Sequence, residues 1–318
     1  MLVEPVRYAV LYNPIAGRGR AVQVAGSVSA RLKALGHGAL ERRSERAGHI
    51  RALAAEVAGE VDRVLVLGGD GSLREAAAGL LELDGADRPE LGVLPFGTGN
   101  VVARELGLPL DPVLAIDAIA VAGAMDWDVG RATADGGAAE IFLAMAGFGF
   151  DAGISARIDA ARGGRLGARW YRWSANTLYG WCGLRELLRL APPRFEVSIG
   201  GEVRASRAVS AIASNTRTYG KSMWLSPGAR PDDGLLDVHV RERANPLVGA
   251  TVLALAQLQR PISSRLATDT SGARARIASA SGGPPLTWQL DGDRMEAARE
   301  VLLEVSPRAL RLIGRLAS

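Results

Sequence analysis

Val64-Leu65-Val66-Leu67-Gly68-Gly69-Asp70-Gly71-Ser72 holds a change of secondary structure. The apolar residues at its start are too few and too β-branched for a helix and read as a buried strand. The Gly68-Gly69-Asp70-Gly71 that follows continues neither strand nor helix and predicts a tight turn. Beyond it, Leu73 to Leu81 is rich in helix formers. A strand, a glycine turn and a helix in that order leave free backbone N–H groups at the helix start, where glycines allow close approach. Such a geometry suits an anion such as phosphate. Asp70 stands out, because a carboxylate among phosphate-binding amides repels the ligand unless a cation lies between them. A Mg2+-nucleotide resolves that conflict. Taken alone, the turn reads equally well as an ordinary strand-to-helix connection with Asp70 as a helix cap.

The flanking sequence repeats the pattern. Val6 to Tyr12 reads as a first strand, Asn13 to Gly19 as a second glycine-bearing turn, and Ala21, Ala25, Val28, Leu32 and Leu35 as one face of a helix. A weak strand is expected at Ala39 to Arg43, and a second amphipathic helix at Ile50, Leu53, Ala54 and Val57. Downstream, Leu91 to Pro95 is another buried strand, Phe96 to Asn100 a third glycine turn and Val101 to Leu106 a short helix. Thr98 and Asn100 can bond a phosphate or cap that helix. This βαβα alternation argues for a parallel, doubly wound sheet, whose ligands bind beyond the carboxyl ends of the strands.

From about Met125 the texture changes to short alternating runs at 125–132, 141–148, 195–199, 208–214 and 235–240, separated by turn residues. These predict an antiparallel β domain with its border at 120–124. The expected division is an α/β domain over 1–124 and a β-sandwich domain over 125–306, with 307–318 packing back on the first. Arg157 to Leu190 interrupts the β pattern with a helical composition. Its Arg162, Arg165, Arg169, Trp170, Tyr171, Arg172, Trp173, Tyr179 and Trp181 suit a membrane interface, or a helix docked on the sheet with its arginines solvated. Near the end, Leu286 to Asp293 reads as a strand entering an acidic turn and Glu300 to Val305 as a strand. Ala309 to Ile313 is a last short strand or helix.

Composition narrows the classes. The chain has 318 residues, 48% hydrophobic and 23% charged, so it is globular and long enough for two domains. A single cysteine, Cys182, excludes an internal disulfide framework and fits a reducing compartment. No signal-peptide pattern opens the sequence, and the apolar stretch Pro246 to Gln257 falls short of the roughly 20 residues a membrane span needs. Any membrane contact is therefore expected to be peripheral, from the cytoplasm. A net charge of +4 suits anionic lipid surfaces or mere solubility. Nucleic-acid motifs are absent, and His37, His49, His239 and Cys182 show no metal spacing.

Asn13-Pro14-Ile15-Ala16-Gly17, Gly68 to Ser72, Gly97-Thr98-Gly99-Asn100, Gly147 to Ala152, Pro227 to Asp237 and Asp291-Gly292-Asp293 follow one another in the order found in the diacylglycerol kinase and sphingosine kinase family of lipid kinases. The chain resembles a soluble bacterial-type member over about Arg7 to Ile313. The resemblance implies an N-terminal NAD-kinase-like α/β domain, a C-terminal β-sandwich that binds lipid, and ATP with Mg2+. By the same resemblance, Asp291 corresponds to a general base acting on the acceptor hydroxyl, with Asp293 assisting. Asn13, Gly17, Gly69, Asp70, Gly71, Ser72, Glu75, Gly97, Thr98, Gly99 and Asn100 fall on the nucleotide-binding motifs. Asp232, Asp233 and Asp237 lie in an acidic segment that holds a structural Mg2+ in some members. Three positions depart from the usual pattern: Ser72 replaces Thr, Val101 replaces Asp, and Asp293 replaces Glu. The expected activity is transfer of the γ-phosphoryl group of ATP to a lipid hydroxyl, of diacylglycerol or a related lipid. Expected partners are that lipid, a membrane surface and a second copy in a homodimer. The alternatives are a kinase for a soluble acceptor such as NAD or a polyol, and a nucleotide- or lipid-binding regulator with weak turnover.

Overall fold

The computed structural model describes residues 5–150, 152–154, 157, 160, 181–183, 185, 186, 192–220 and 223–317. It divides into two compact units, Met1–Val129 with Pro307–Ser318, and Gly130–Ser306.

In the first unit, β1 (Arg7–Tyr12), β2 (Gly38–Arg43), β3 (Arg63–Gly68) and β4 (Glu90–Pro95) form a parallel sheet in the order β2-β1-β3-β4. β1, β3 and β4 are buried along nearly their whole length, so their sequences read as continuous apolar runs. β2 lies at the edge and is mostly half-buried or exposed, hence its weak signal. A short helix α1 (Ala16–Gly19) precedes α2 (Ala21–Ala34), which buries Ala21, Ala25, Val28, Ser29 and Leu32; Leu35 closes it as C-cap and is partly exposed. α3 (His49–Val57) buries Ile50, Leu53, Ala54 and Val57. α4 spans Asp70–Leu80, α5 Val101–Glu105 and α6 Pro112–Val121.

α2 packs with α6, and α3 with α4. Right-handed crossovers account for this pairing. The chain steps one way from β1 to β2, then back across β1 to β3 and onward to β4, so the first crossover helix takes the face opposite the next two. Strand order therefore reverses between β1 and β3, whose carboxyl ends, Tyr12 and Gly68, run directly into glycine-bearing turns. The chain end completes this sheet. Leu312, in β18 (Glu300–Ile313), pairs in parallel with Leu91 of β4, and the fully buried Asp128 accepts the Arg308 N–H at 2.7 Å. Ala309 to Ile313 is thus strand, continuous with Glu300 to Val305.

The second unit is antiparallel. One sheet runs β14 (Thr268–Gly272), β13 (Leu236–Arg241), β10 (Ser210–Ser214), β7 (Met145–Gly149), β16 (Trp288–Leu290) and β17 (Asp293–Arg294). In the other, β15 (Arg274–Ser279) pairs with Glu300–Glu304 of β18 and with β8 (Phe195–Ile199), β8 pairs with β9 (Glu202–Ala208), and Gly130–Thr133 of β5 (Ala124–Ala134) pair with β6 (Ala139–Phe142); β11 (Thr218–Tyr219) and β12 (Met223–Trp224) form a separate small hairpin. Phe148, Ala211 and Val238 of the first sheet share one core with Val197, Ile277 and Val301 of the second, so the unit is a sandwich.

Two of the expected runs are broken. Residues 141–148 divide into β6 (Ala139–Phe142) and β7, with Leu143 and Ala144 between them, and 208–214 divides at Val209. Pro246–Gln257, with Asn245 capping the Leu247 N–H at 2.8 Å, is helix α7. Among the described residues no helix is long and apolar enough to cross a membrane. Of the 157–190 insertion, Arg162, Arg165, Arg169, Trp170, Tyr171, Arg172, Trp173 and Tyr179 lie outside the described residues, as does Asp151.

Candidate functional site

Each strand-end turn of the first unit is locked by its own residues. Asn13 Oδ1 accepts the Ile15 N–H at 3.1 Å. Asn100, at a left-handed φ of 52°, accepts the Gly97 N–H through Oδ1 (2.8 Å) and donates from Nδ2 to the Gly97 carbonyl (3.0 Å). The turn after β3 is shorter than expected: Gly69 alone is the extended N-cap, and Asp70 and Gly71 already belong to α4.

The turns also meet. A Cβ on Gly97 would stand 2.5 Å from Gly69 Cα, and one on Gly17 would stand 2.0 Å from the Phe96 ring. The turns after β1 and β3 therefore both abut the turn after β4, Gly69 against the Gly97 backbone and Gly17 against the Phe96 ring. Asn13, Gly17, Gly69, Asp70, Gly71, Ser72, Gly97, Thr98, Gly99 and Asn100 all belong to this cluster or the first turn of α4. Ser72 lies against Gly68. Glu75 sits one turn further along α4, and its Oε1 accepts the Gly48 N–H at 3.3 Å.

Asp70 caps a helix other than its own. Its Oδ1 accepts the Val102 N–H at 3.1 Å, in the first turn of α5. The residue keeps some surface but its carboxylate is enclosed. Burial pushes its pKa above the ordinary carboxylate value, against the opposite pull of the backbone N–H groups of Val101, Val102, Asp70 and Asn100. Among the described residues it forms no ion pair.

In the second unit the acidic turn is a two-residue hairpin. Leu290 pairs with Asp293 across Asp291 and Gly292, both left-handed (φ 48° and 92°), the conformation that Asp-Gly sequences favour. Gln289 Oε1 accepts the Gly292 N–H at 2.6 Å. The Asp291 carboxylate enters the break between β6 and β7. Oδ2 accepts from Leu143 N (2.8 Å), and Oδ1 from Ala144 N (2.8 Å) and Met145 N (3.0 Å). Hydrogen bonds to a charged group contribute about 1.5–3 kcal/mol each, so these fix the carboxylate in the break. Asp293 is exposed.

Sequence reasoning missed Asn215. It is fully buried, donates from Nδ2 to the Leu143 carbonyl at 2.8 Å, and its N–H bonds the Ala144 carbonyl at 2.8 Å. The peptide groups that hold Asp291 are thus fixed from their other side. The signal was an Asn placed directly after the wholly buried β10.

The acids of the 227–237 segment have protein partners. Both Asp232 oxygens bind Arg230 (2.9 and 3.0 Å), Asp233 Oδ1 accepts the Leu235 N–H (3.0 Å), and Asp237 Oδ1 accepts from Ser271 Oγ (2.7 Å). Burial pushes the Asp237 pKa up, opposed by the Ser271 bond and helped by the charges of Asp233 and Asp269. Among the described residues no three His, Cys, Asp or Glu side chains are grouped so as to hold a metal ion.

A parallel sheet with glycine turns meeting at its switch point, followed by an antiparallel sandwich, defines a two-part protein whose first part is suited to a phosphate-bearing ligand. The model of the diacylglycerol kinase catalytic domain matches residues 7–132, and that of the YegS C-terminal NAD kinase beta sandwich-like domain matches 146–314. A diacylglycerol kinase of Mycobacterium tuberculosis is 37% identical over 235 residues, 73% of this chain and 72% of that one. A Pseudomonas fluorescens protein named "probable lipid kinase YegS-like" is 31% identical over 296 residues, 91% of this chain and 90% of its own. In fold, the crystal structure of a diacylglycerol kinase from Bacillus anthracis superposes with a TM-score of 0.73 at 19% identity, covering 98% of each chain. The chain belongs to the diacylglycerol kinase family of lipid kinases.

Proposed function

We propose that this chain transfers the γ-phosphoryl group of ATP to the hydroxyl of a lipid, diacylglycerol or a close relative, at a membrane surface. The observation that carries the reading is the contact of Gly69 with Gly97 and of Gly17 with Phe96, which brings together the glycine turns at the ends of β1, β3 and β4. Phosphoryl transfer asks for little covalent chemistry from the protein; it asks for positioned phosphates, neutralised charge and an acceptor for the hydroxyl proton.

The residues present fit a Mg2+-nucleotide, because an enclosed carboxylate with a raised pKa and no ion pair lies beside the phosphate-suited turns. Asp70 would hold the ion, which when bound supplies charge neutralisation on the phosphates. Gly69, Gly71, Gly97 and Gly99 admit the phosphates to the backbone, Ser72 and Thr98 offer hydroxyls, and Asn13 and Asn100 hold their turns in shape. Asp291, oriented by three backbone N–H groups, takes the hydroxyl proton, and Asp293 assists. Asp232, Asp233 and Asp237 receive no step in this reading. Leu247 and Leu258, 77% and 69% exposed at the two ends of α7, suit contact with a bilayer.

The test is incubation of the protein with labelled ATP, with and without Mg2+, and a panel of diacylglycerol, monoacylglycerol, sphingosine and ceramide in vesicles. NAD and glycerol serve as soluble acceptors. A labelled lipid that forms only with Mg2+ supports the reading. Label on NAD or glycerol alone, or nucleotide binding without product, overturns it.

A further inference from the structure

β13 presents two faces. Leu236, Val238 and Val240 enter the sandwich core, so His239 and Arg241 lie on the opposite side of the sheet. There, with Phe150, Ser210, Ile212, Tyr219, Val252 and Leu253, they line a shallow recess with about 20 Å3 of enclosed space. The two polar side chains are 3% and 7% exposed.

Both are left short of partners. His239 Nδ1 bonds Asp269 Oδ1 at 2.7 Å, and its Nε2 is buried with no hydrogen-bond partner. Arg241 donates from one terminal nitrogen to the Arg243 carbonyl at 2.7 Å and rests 5.3 Å from the Phe150 ring centroid. Among the described residues no carboxylate pairs with it. A guanidinium taken from water without a counter-ion is costly, and burial lowers its pKa. Asp237 and Asp269 do not line the recess.

We propose that this recess binds a phosphate group, either the monoester headgroup of a phospholipid or free inorganic phosphate. Arg241 meets a P–O− oxygen with its unused N–H groups. His239 Nε2 meets a second oxygen, accepting from P–OH or donating to P–O−, so a hydrogen phosphate satisfies the ring in either tautomer. A carboxylate, which carries no hydroxyl at neutral pH, lacks that match. Ser210 and Tyr219 add hydroxyls to the lining, beside the apolar Ile212, Leu225, Val252 and Leu253. The recess is built within the second unit and shares no residue with the glycine turns, and the inference does not depend on the proposed kinase reaction.

The experiment is calorimetric titration of the full chain, its nucleotide turns saturated with a non-hydrolysable ATP analogue. One arm adds inorganic phosphate, a second phosphatidylcholine vesicles containing phosphatidate, and a third pure phosphatidylcholine vesicles. Binding in the first arm identifies the free ion as a ligand, and binding in the second but neither other arm identifies the headgroup. Arg241→Gln and, independently, Leu253→Glu, which places a carboxylate at the recess, are each expected to weaken that binding at least tenfold. Circular dichroism checks their folding. In the wild type the 15N resonance of His239 Nε2 is expected to move on addition of the ligand, a readout that needs no variant. Absence of binding in the first two arms, affinity unchanged within twofold in a folded variant, or an unmoved Nε2 resonance at saturation overturns the proposal.

Discussion

Asp70, at the start of α4, and Asp291, in a hairpin turn, are each followed by a glycine, yet the structure treats their carboxylates in opposite ways. Asp291 lies in a nest of three backbone N–H donors, which fix the orientation of its carboxylate. Asp70 is enclosed, and burial outweighs the amides that approach it, so its charge is disfavoured. One carboxylate is held by three backbone donors; the other is enclosed and left to gain from a cation. Two residues of the same type, each followed by glycine, are thereby fitted for different work.

The largest expected effect breaks the Asp291 side of this contrast. In Asp291→Asn an NH2 group must face one of the donors at Leu143, Ala144 or Met145, and the proton acceptor is lost as well. Lipid phosphorylation measured with labelled ATP is expected to fall by about 10^2- to 10^4-fold, the range of general-base contributions. A thermal melt separates the two causes, since the nest alone shifts stability whereas loss of the base alone does not. Activity within a few-fold of wild type would show that Asp291 only anchors the hairpin.

Next in size is Gly97→Ala. The new methyl would stand 2.5 Å from Gly69 Cα and 2.9 Å from Asn100 Oδ1. Backbone, rather than a flexible side-chain tip, has to move, at a cost of about 1–3 kcal/mol. Because the displaced atoms are those proposed to face phosphate, ATP affinity is expected to drop roughly 10- to 100-fold by equilibrium binding. Unaltered affinity would remove the turns from the nucleotide's path.

How much of this arrangement the sequence disclosed depended on where each signal lay. β1, β3 and β4 are buried on both faces, so their apolar runs and terminal glycines marked the parallel sheet without any partner in view. α6 and α7 went unmarked because nearly every residue in them is apolar, which leaves no polar stripe to set a period. β14 is mostly exposed and short of apolar residues, so it showed no alternation. The Asp-Gly pair announced the hairpin at 291–292, but its carboxylate partners lie 146 to 148 residues earlier in the chain. No local pattern encodes that. The sequence could name Asp70 and Asp291, but the enclosure of the one and the distant amides that hold the other were hidden for the same reason.

A sharper test on the other side of the contrast is Asp70→Asn. The folded protein holds the Asp70 proton more tightly than the unfolded chain does, so stability contributed by this group is greatest at low pH. It is lost as pH rises from the ordinary value of 3.8 through the raised folded value. The amide removes that slope. Melting of the ligand-free variant from about pH 4 to pH 8 is expected to match or exceed wild type at neutral pH, while Mg2+-ATP affinity falls about tenfold, a loss of roughly 1.4 kcal/mol. A variant that loses stability at neutral pH would mean that the charge serves as the α5 cap and not as the seat of a cation.

The smallest effect is expected at Asp293→Glu. Asp293 is exposed, so the added methylene meets no packing, and stability should stay within about 0.5 kcal/mol. The carboxylate advances by about a bond length, and because misplacement by about 1 Å can change rates on the order of 10^2-fold, even this change is readable in turnover. A rise of a few-fold in kcat is expected if the shorter acid is an imperfect assistant to Asp291. The same extension at Asp291 has no such freedom: its oxygens already fit three fixed amides, so Asp291→Glu should fall toward the Asp291→Asn level. If both extensions were silent, neither acid of the hairpin would be in reach of the reacting hydroxyl.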